Sequence, residues 1–317
     1  MSSPQRDLLL RVAEIRPLTK DIHLFRLVDA GDRELPPFTA GAHIALRLPG
    51  GISRRYSLCN DPAGRDRYEI AVRRERQEPR LIESARVGDE LRAASPHNSF
   101  ELVPAEEYVF IAGGIGVTAI LSMVRHLQAR GHERYHLFYL SASAESTAFR
   151  DELLAPPFAS HVTLHHDGGV PERAFDLWPV LERPTRAHIY CCGPRALLEA
   201  VRDMTGHWPA SHVHFESYVD AAAARKPEDR PFRIRFAHSG DTFDVPPGVS
   251  ILDAARVHGH EVPSSCESGT CGTCKTRYLE GEPDHRDLVL SSAEKAAGKT
   301  MMICCSGAKS ERLVLDL

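Results

Sequence analysis

The cysteine spacing near the C-terminus constrains the fold of this chain more than any other feature. Five of the eight cysteines lie in the last 52 of the 317 residues. Three of them form the run Cys266-Glu-Ser-Gly-Thr-Cys271-Gly-Thr-Cys274, and Cys304 and Cys305 follow 30 residues later. This C-x4-C-x2-C spacing with a distant fourth cysteine is typical of plant-type [2Fe–2S] centres. It predicts an iron–sulfur cluster held by Cys266, Cys271, Cys274 and one later cysteine.

The residues between the three cysteines are small, which suits a loop that wraps a cluster. Small residues let backbone N–H groups approach sulfur, and such hydrogen bonds help to tune the reduction potential. The residues that meet this need are Gly269, Thr270, Gly272 and Thr273. A structural zinc site is the alternative, but zinc frameworks more often show paired C-x2-C knuckles, and this loop has one such pair. Local sequence leaves the fourth ligand open, because adjacent side chains on a strand point to opposite faces and only one of Cys304 and Cys305 can face the cluster.

Composition and charge exclude several classes of protein. The chain is 42% hydrophobic and 26% charged, which is ordinary for a globular protein, and its length suggests two or three domains. A formal net charge of −4 lacks the basic footprint of a nucleic-acid binder. The polar start and the absence of a long apolar run predict neither a signal peptide nor a membrane span. We therefore expect a cytoplasmic protein, in which thiols stay reduced and can act as ligands.

Three segments differ in their pattern. Residues 1–102 contain short strand-like runs separated by Pro/Gly turns, which is typical of a small antiparallel β-barrel. Residues 103–225 alternate strands with helices, which predicts a doubly wound parallel sheet. Residues 226–317 follow a small, charged linker and hold the cysteine loop among short strands, with a capping box at Ser250. The predicted fold class is therefore multidomain, β followed by α/β and α+β.

A glycine-rich turn follows the first apolar strand of the middle segment. The run Tyr108-Val-Phe-Ile-Ala-Gly113-Gly114-Ile-Gly116-Val-Thr118-Ala119 satisfies G-x-G-x-x-G/A between a strand and an amphipathic helix. Such a turn places a helix N-terminus against a pyrophosphate. The acidic ribose ligand usual at the end of the next strand is missing, and no arginine pair replaces it, so we expect NADH rather than NADPH.

Two further segments carry candidate binding residues. Tyr190-Cys-Cys192-Gly193-Pro194 ends another predicted strand, where the crevice rule would place Cys192 beside the nicotinamide. The alternative is a tight turn with two buried thiols.

The run Arg54-Arg55-Tyr56-Ser57-Leu58 offers cations, an aromatic ring and a hydroxyl that suit an anionic, planar cofactor, although an arginine-rich strand is more often a solvated face.

Together these motifs resemble the phthalate dioxygenase reductase family, the flavin- and iron–sulfur-containing reductases of Rieske oxygenases. Within that family, the chain is similar to the vanillate O-demethylase reductases. The resemblance covers essentially the whole chain. The matching segments are 38–44, 55–60, 112–118, 192–194, 214–218, 266–274, 280–287 and 312–317. It implies an FMN-binding β-barrel of ferredoxin-reductase type (1–102), an NAD-binding α/β domain (103–225) and a C-terminal β-grasp [2Fe–2S] ferredoxin domain (226–317).

The resemblance also implies roles for individual residues. Arg55, Tyr56 and Ser57 would bind FMN, and Tyr218 would cover the flavin. The NADH pyrophosphate would meet Gly113, Gly114, Gly116 and Thr118, and its nicotinamide would lie near Cys192, Gly193 and Pro194. Cys192, Ser57 and Tyr218 would line the reacting centre. In the family tail the first of the two adjacent cysteines is the ligand, which selects Cys304.

Two departures from the family stand out. A glycine-rich loop that clamps the flavin phosphate is usual after the strand equivalent to residues 68–73. Here the stretch 73–84 contains no glycine, and arginine charge from Arg74, Arg76 or Arg80 could replace the backbone donors. The second departure is Gly307, which stands where an arginine is common.

The implied function is electron transfer from NADH through FMN and a [2Fe–2S] cluster to a separate Rieske-type oxygenase. We expect a monomer that binds NADH and the oxygenase, and neither nucleic acid nor membrane. One alternative is a flavin-deficient iron–sulfur electron carrier or redox sensor, which the missing phosphate loop favours. Another is a reductase for a cytochrome P450-type oxidase with the same internal chemistry.

Overall fold

The computed structural model describes residues 7–47, 53–74, 81–217, 229–264 and 266–317. The chain forms two compact units, Met1–Gly193 with Ala200–His214, and Pro194–Glu199 with Phe215–Leu317. The boundaries predicted at residues 102 and 225 stay a prediction. Within the described ranges, no helix is both long and apolar enough to span a bilayer.

A six-stranded sheet of the first unit forms the barrel. Its strand order is β4-β3-β6-β1-β2-β5, and the pairs β1–β2, β2–β5, β3–β4, β1–β6 and β3–β6 are antiparallel. Alternate residues along these strands fill one apolar core, which includes Leu10, Leu27, Ile44 and Ile70. The elements are β1 (Leu8–Pro17), β2 (Ile22–Asp29), β3 (His43–Arg47), β4 (Ser53–Ser57), β5 (Tyr68–Arg73), α1 (Leu81–Ser84) and β6 (Glu90–Ala93).

A five-stranded sheet with the order β11-β10-β7-β8-β9 follows in the chain. Strand β10 runs parallel to β7, which runs parallel to β8, and β8 runs parallel to β9. The central strand β7 is almost entirely buried, as expected for a parallel strand covered on both faces. The elements are β7 (Tyr108–Gly113), α2 (Val117–Ala129), β8 (Tyr135–Ser141), α3 (Arg150–Leu153), β9 (Val162–His166), α4 (Trp178–Leu181), β10 (His188–Cys192), α5 (Arg195–Met204) and β11 (Val213–Glu216).

A third sheet has the order β13-β12-β18-β14-β16, and a two-stranded ribbon pairs β15 with β17. The helix start predicted at Ser250 is confirmed as an N-cap, because its hydroxyl accepts the Asp253 N–H at 2.8 Å. The elements are β12 (Phe232–Phe236), β13 (Thr242–Val245), α6 (Ile251–Val257), β14 (Lys275–Glu280), β15 (Pro283–Asp284), α7 (Ser292–Ala296), β16 (Thr300–Met302), β17 (Gly307–Ala308) and β18 (Arg312–Leu315).

Two sequence predictions differ from the structure. The sequence pattern predicts a helical piece around 146–154, but the structure has a short turn there followed by α3, because Phe149 takes a left-handed conformation (φ 58°) that interrupts the helix. The sequence also predicts a strand near 302–304, but the observed strand ends at Met302, and the two adjacent cysteines lie in a turn. Strand alternation therefore cannot decide which of them faces the cluster.

Candidate nucleotide, flavin and iron–sulfur sites

The glycine turn connects β7 to α2 through one turn of 3-10 helix, Gly114–Gly116. Gly114 has a φ of +52°, which side-chain-bearing residues rarely adopt. The buried Thr118 hydroxyl donates to the carbonyl oxygen of Ile115 at 3.0 Å and so fixes the turn from within. Helix α2 starts directly after the turn, which is the strand–turn–helix arrangement of a phosphate-binding site.

The structure brings the glycine turn against the end of β10. A side chain on Gly116 would overlap the carbonyl oxygen of Cys192, lie 2.6 Å from its carbonyl carbon and 2.9 Å from the Cα of Gly193. Gly116 is therefore required by the close approach of two strand ends. Two segments singled out separately in the sequence thus form one crevice edge, as the crevice rule predicts.

The remaining residues of this segment are placed as follows. Cys192 is buried, and Gly113 ends β7. The carbonyl of Pro194 accepts the N–H groups of Leu197 and Leu198 and so opens α5. Tyr218 lies outside the described residues.

The candidate flavin segment forms β4, and its side chains divide between the two faces of the strand. Pairing with β3 places Arg54 opposite Leu46 and Tyr56 opposite Ile44, whereas Ser57 lies opposite His43. Because side chains alternate, Arg54 and Tyr56 share one face while Arg55 and Ser57 share the other. A ligand stacked on Tyr56 would therefore meet Arg54, which belongs to the candidate flavin run but was given no individual role from the sequence. Strand alternation was the signal that could have identified it.

Arg73 is a second cation, and sequence reasoning missed it. It ends β5, and its Nη2 atom lies 3.3 Å from the position that a Cβ on Gly114 would occupy. Of the arginines proposed to replace the missing phosphate loop, Arg74 follows β5 directly, and its backbone N–H donates to the carbonyl of Asp21 at 2.7 Å, which fixes its main chain. Arg76 and Arg80 lie outside the described residues.

Arg125 of α2 links the nucleotide sheet to the barrel. Its guanidinium donates to both carboxylate oxygens of Glu152, at 2.8 and 2.7 Å, and to the backbone oxygen of Cys59 at 2.8 Å. It also lies 3.4 Å from the nearly buried carboxylate of Glu69. Cys59 follows the flavin segment by two residues, so Arg125 ties that segment to the helix that begins at the glycine turn.

The cysteine loop is shaped around the sulfur of Cys266. The backbone N–H groups of Ser268, Thr270 and Cys271 donate to this sulfur at 3.3–3.5 Å. The Cys271 thiol and then the Thr270 donor lower the pKa of Cys266 against an opposing effect of burial. Gly269 must lack a side chain, since its φ is +76° and a Cβ would lie 2.6 Å from the sulfur of Cys305. The loop thus stabilises a thiolate, the state that binds iron.

The four candidate thiols fall into two adjoining pairs. The Cys266 thiol raises the pKa of Cys271, and the Cys304 thiol raises the pKa of Cys274, in each case with burial as the second cause. Cys266 also acts electrostatically on Cys274 and Cys304, so the pairs are neighbours. Two pairs of thiols suit two irons, each with two protein ligands, better than one tetrahedral zinc ion. Cys271 is exposed and the other three are buried.

The residues present fit the expected groups. The inward-pointing N–H donors and paired thiols suit a [2Fe–2S] cluster, and the glycine turn beside two arginine-bearing strands suits phosphate groups. The structure places Cys304, rather than Cys305, beside Cys274, while Cys305 packs behind Gly269. The assignment of individual ligands and binding residues stays a prediction.

Comparisons with known proteins agree with this arrangement. The model of the 2Fe-2S iron-sulfur cluster binding domain family matches residues 234–309. Phthalate dioxygenase reductase of Burkholderia cepacia is 46% identical, with 100% of both chains covered. Vanillate O-demethylase oxidoreductase of a Pseudomonas strain is 37% identical, with 96% of this chain and 98% of the relative covered.

Solved structures give the same result. The structure described as a phthalate dioxygenase reductase, with electron transfer from pyridine nucleotides to [2Fe–2S], matches with a TM-score of 0.75, 44% identity and 98% of each chain covered. A type IV self-sufficient cytochrome P450 monooxygenase matches with a TM-score of 0.68 and 34% identity, over 100% of this chain and 43% of that one. The predicted fold class, an FMN-binding barrel, a nucleotide domain and a [2Fe–2S] ferredoxin domain, is confirmed. The chain belongs to the phthalate dioxygenase reductase family, as its motifs predict.

Proposed function

We propose that this chain is the reductase component of a Rieske-type oxygenase system. As a member of its family it is an NADH-dependent flavin and iron–sulfur oxidoreductase that uses FMN and a [2Fe–2S] cluster. The observation that carries the proposal is the presence in one chain of a glycine turn packed on a strand end and a thiolate cradle.

The bound cofactors supply the redox chemistry, since a flavin can accept two electrons as a hydride and release them singly. The protein itself binds NADH and the flavin and orients them relative to each other. The N–H groups and positive end of α2 would hold the NADH pyrophosphate at Gly113, Gly114, Gly116 and Thr118. Cys192, Gly193 and Pro194 would border the nicotinamide.

The flavin contacts are proposed on β4. Tyr56 offers a ring face, and Arg54 beside it or Arg55 opposite offers charge for the phosphate. Ser57, which is 4% exposed, would approach the reacting edge of the ring. Tyr218 is proposed to cover the flavin, on the family resemblance alone.

Cys266 and Cys271 would bind one iron, and Cys274 and Cys304 the other. Because Cys271 is the exposed member, the cluster edge near it is where electrons would leave the protein. We propose that the acceptor is a separate Rieske-type oxygenase, that the chain acts as a monomer, and that it works in the cytoplasm. The need for reduced thiols supports that location.

Purified protein tests this proposal directly. We expect flavin and iron–sulfur bands in the visible spectrum, FMN released on denaturation, and NADH-driven reduction of cytochrome c. Cys274→Ser should abolish the iron–sulfur bands and cytochrome c reduction while leaving flavin reduction by NADH. An iron–sulfur spectrum with no releasable FMN, and no NADH turnover even with added FMN, would instead indicate the electron-carrier alternative.

A second acceptor has one specific observation in its favour. The cytochrome P450 monooxygenase described above contains a segment 34% identical to all of this chain. The same internal electron path could therefore serve a haem oxidase. Side-by-side turnover with a Rieske oxygenase and a P450, at equal NADH, would distinguish the two acceptors.

A further inference from the structure

Glu267, directly after the first cluster cysteine, has a left-handed backbone conformation. Its φ is 50°, and it is one of three non-glycine residues with positive φ among those described. A residue with a Cβ is strained in this region and persists there only when its surroundings hold it.

Two side chains anchor its carboxylate. Arg256, in the last turn of α6, donates from Nη2 to Oε1 of Glu267 at 2.6 Å. The Ser264 hydroxyl donates to the same oxygen at 2.9 Å and accepts from Arg256 at 2.7 Å. Arg256 also lies 3.4 Å from Asp253. The three groups close a ring of hydrogen bonds that fixes helix α6 to the cysteine loop.

Stability is a poor explanation for this ring. The side chains of Arg256 and Glu267 are 42% and 36% exposed, and ion pairs so accessible to water contribute little to folding. The position of the ring is more informative. The residue after Glu267 begins the set of N–H groups that donate to the sulfur of Cys266. A left-handed residue at 267 therefore turns the chain so that these donors point inward.

We propose that Arg256 and Glu267 are a positioning pair that sets the reduction potential of the cluster. The ion pair holds the loop in its donating shape, and it cancels the carboxylate charge that would otherwise stand beside a cluster ligand. This inference rests on the proposed cluster at Cys266, Cys271, Cys274 and Cys304.

The two single variants should shift the reduction potential of the cluster in opposite directions. Glu267→Gln removes one negative charge beside the cluster and leaves the Arg256 cation balanced only by the more distant contact with Asp253 at 3.4 Å, which favours the reduced, more negative state and raises the potential. Arg256→Gln leaves the carboxylate uncompensated and lowers the potential. The double variant restores the net charge, so its potential should return close to that of the unmodified protein.

Redox titration of the holoprotein, followed by electron paramagnetic resonance of the reduced cluster, measures these shifts. We expect each single variant to change the ratio of reduced to oxidised cluster at fixed potential several-fold, and at most about tenfold, which equals about 59 mV for one electron. Both shifts should shrink at high salt. The control is Arg233→Gln, which breaks a comparable exposed ion pair with Asp244 at 2.9 Å and should leave the potential unchanged.

Shifts of the same sign in both single variants, or no shift in either, would overturn the inference. If Arg256→Gln fails to retain the cluster, Arg256→Lys keeps the charge and must keep the potential within the error of the titration. An unmodified protein with no iron–sulfur spectrum would overturn the proposed function and this inference with it. A normal spectrum with unmoved potentials would overturn the inference alone.

Discussion

The cysteine loop and the nucleotide crevice are built in opposite ways. Residues 266–274 supply three of the four candidate ligands and the N–H donors that stabilise one of them. The crevice joins the glycine turn to a strand end almost eighty residues later, at Cys192. The loop carries its geometry in its own spacing, whereas the crevice exists only once the parallel sheet has formed.

The largest effect should come from the fourth ligand of the loop. Cys304 lies beside the Cys274 thiol, whereas Cys305 packs behind Gly269. We therefore expect Cys304→Ser to abolish the iron–sulfur bands and the paramagnetic signal, because a hydroxyl is a poor substitute for a soft thiolate. Cys305→Ser should keep both signals. Iron content and visible spectra of the two proteins give the answer.

Cluster loss in Cys305→Ser with retention in Cys304→Ser would exchange the two roles. Retention in both proteins would mean that the fourth ligand lies elsewhere. Local spacing leaves open only which of two adjacent cysteines is the fourth ligand. Either of these outcomes would therefore show that the spacing alone is a weaker guide to this site than we infer.

The second test breaks the crevice. Gly116→Ala would push a methyl group into the carbonyl of Cys192, so one of the two strand ends must move. A displacement near 1 Å at a reacting centre can cost about a hundredfold in rate. We expect NADH-dependent turnover to fall by about that factor while FMN content and the iron–sulfur spectrum stay intact.

Gly206→Ala is the matched control for that variant. A Cβ there would meet its nearest neighbours at 3.7 and 4.0 Å, which is ordinary van der Waals contact, and it lies in the same unit. Its turnover should be unchanged. Equal losses in both proteins would show that the effect of Gly116→Ala is general destabilisation of the unit.

The same contrast explains what the sequence could predict. The cluster spacing, the strand-turn-helix around Gly114 and the helix start at Ser250 are local patterns, and each was predicted correctly as a structural element, although Ser250 forms an N-cap rather than the reciprocal capping box. Arg73 was missed, and Arg54 was given no individual role, because their importance depends on strand faces and on contacts between distant segments. The strand expected to contain Cys304 was wrong because the chain turns after Met302, whose carbonyl accepts the N–H groups of Cys305 and Ser306, and the sequence pattern did not indicate this turn.

A third test concerns the contact that joins the barrel to the nucleotide sheet. Arg125→Met keeps much of the side-chain volume but leaves the carboxylates of Glu152 and Glu69 without their shared cation. Removing one partner of a buried ionic network typically costs about 3–5 kcal/mol. We expect a smaller loss of about 2 kcal/mol, because Glu152 is partly exposed and Glu69 keeps Arg67 at 3.0 Å and Arg26 at 3.3 Å. Urea unfolding followed by flavin release measures this loss.

Arg134→Met is the corresponding exposed control. Its ion pair with Glu107 has an N–O distance of 3.4 Å and side-chain exposures of 64% and 45%, so it should change the free energy of unfolding by less than about 1 kcal/mol. Equal effects of the two variants would show that Arg125 contributes no more than a surface pair. In that case the flavin segment and α2 would be held together by apolar packing instead.

The smallest expected effect is a pH dependence of stability in the first unit, which distinguishes that unit from the cysteine loop. Burial, followed by the charges of Arg55 and His97, lowers the pKa of His43 to about 3. Between about pH 6.5 and 3 the unfolded chain binds a proton at this position that the folded chain does not, so the free energy of unfolding falls as the solution is acidified. The slope for one such group is at most about 1.4 kcal/mol per pH unit. We expect the barrel to lose flavin more readily at pH 5 than at pH 7, and His43→Gln to reduce that difference.

His214 provides the comparison needed to assign this effect. Its pKa is lowered to about 4 by burial and by His188 and His212, so it adds acid sensitivity of the same sign to the same unit. If acid lability belongs to the barrel, His43→Gln will flatten the pH dependence of flavin release more than His214→Gln does. If the nucleotide sheet fails first, the order will reverse, because loss of its packing would release Arg125 from the flavin segment. Either order sharpens the contrast with the cysteine loop, whose geometry does not depend on a buried neutral histidine in the first unit.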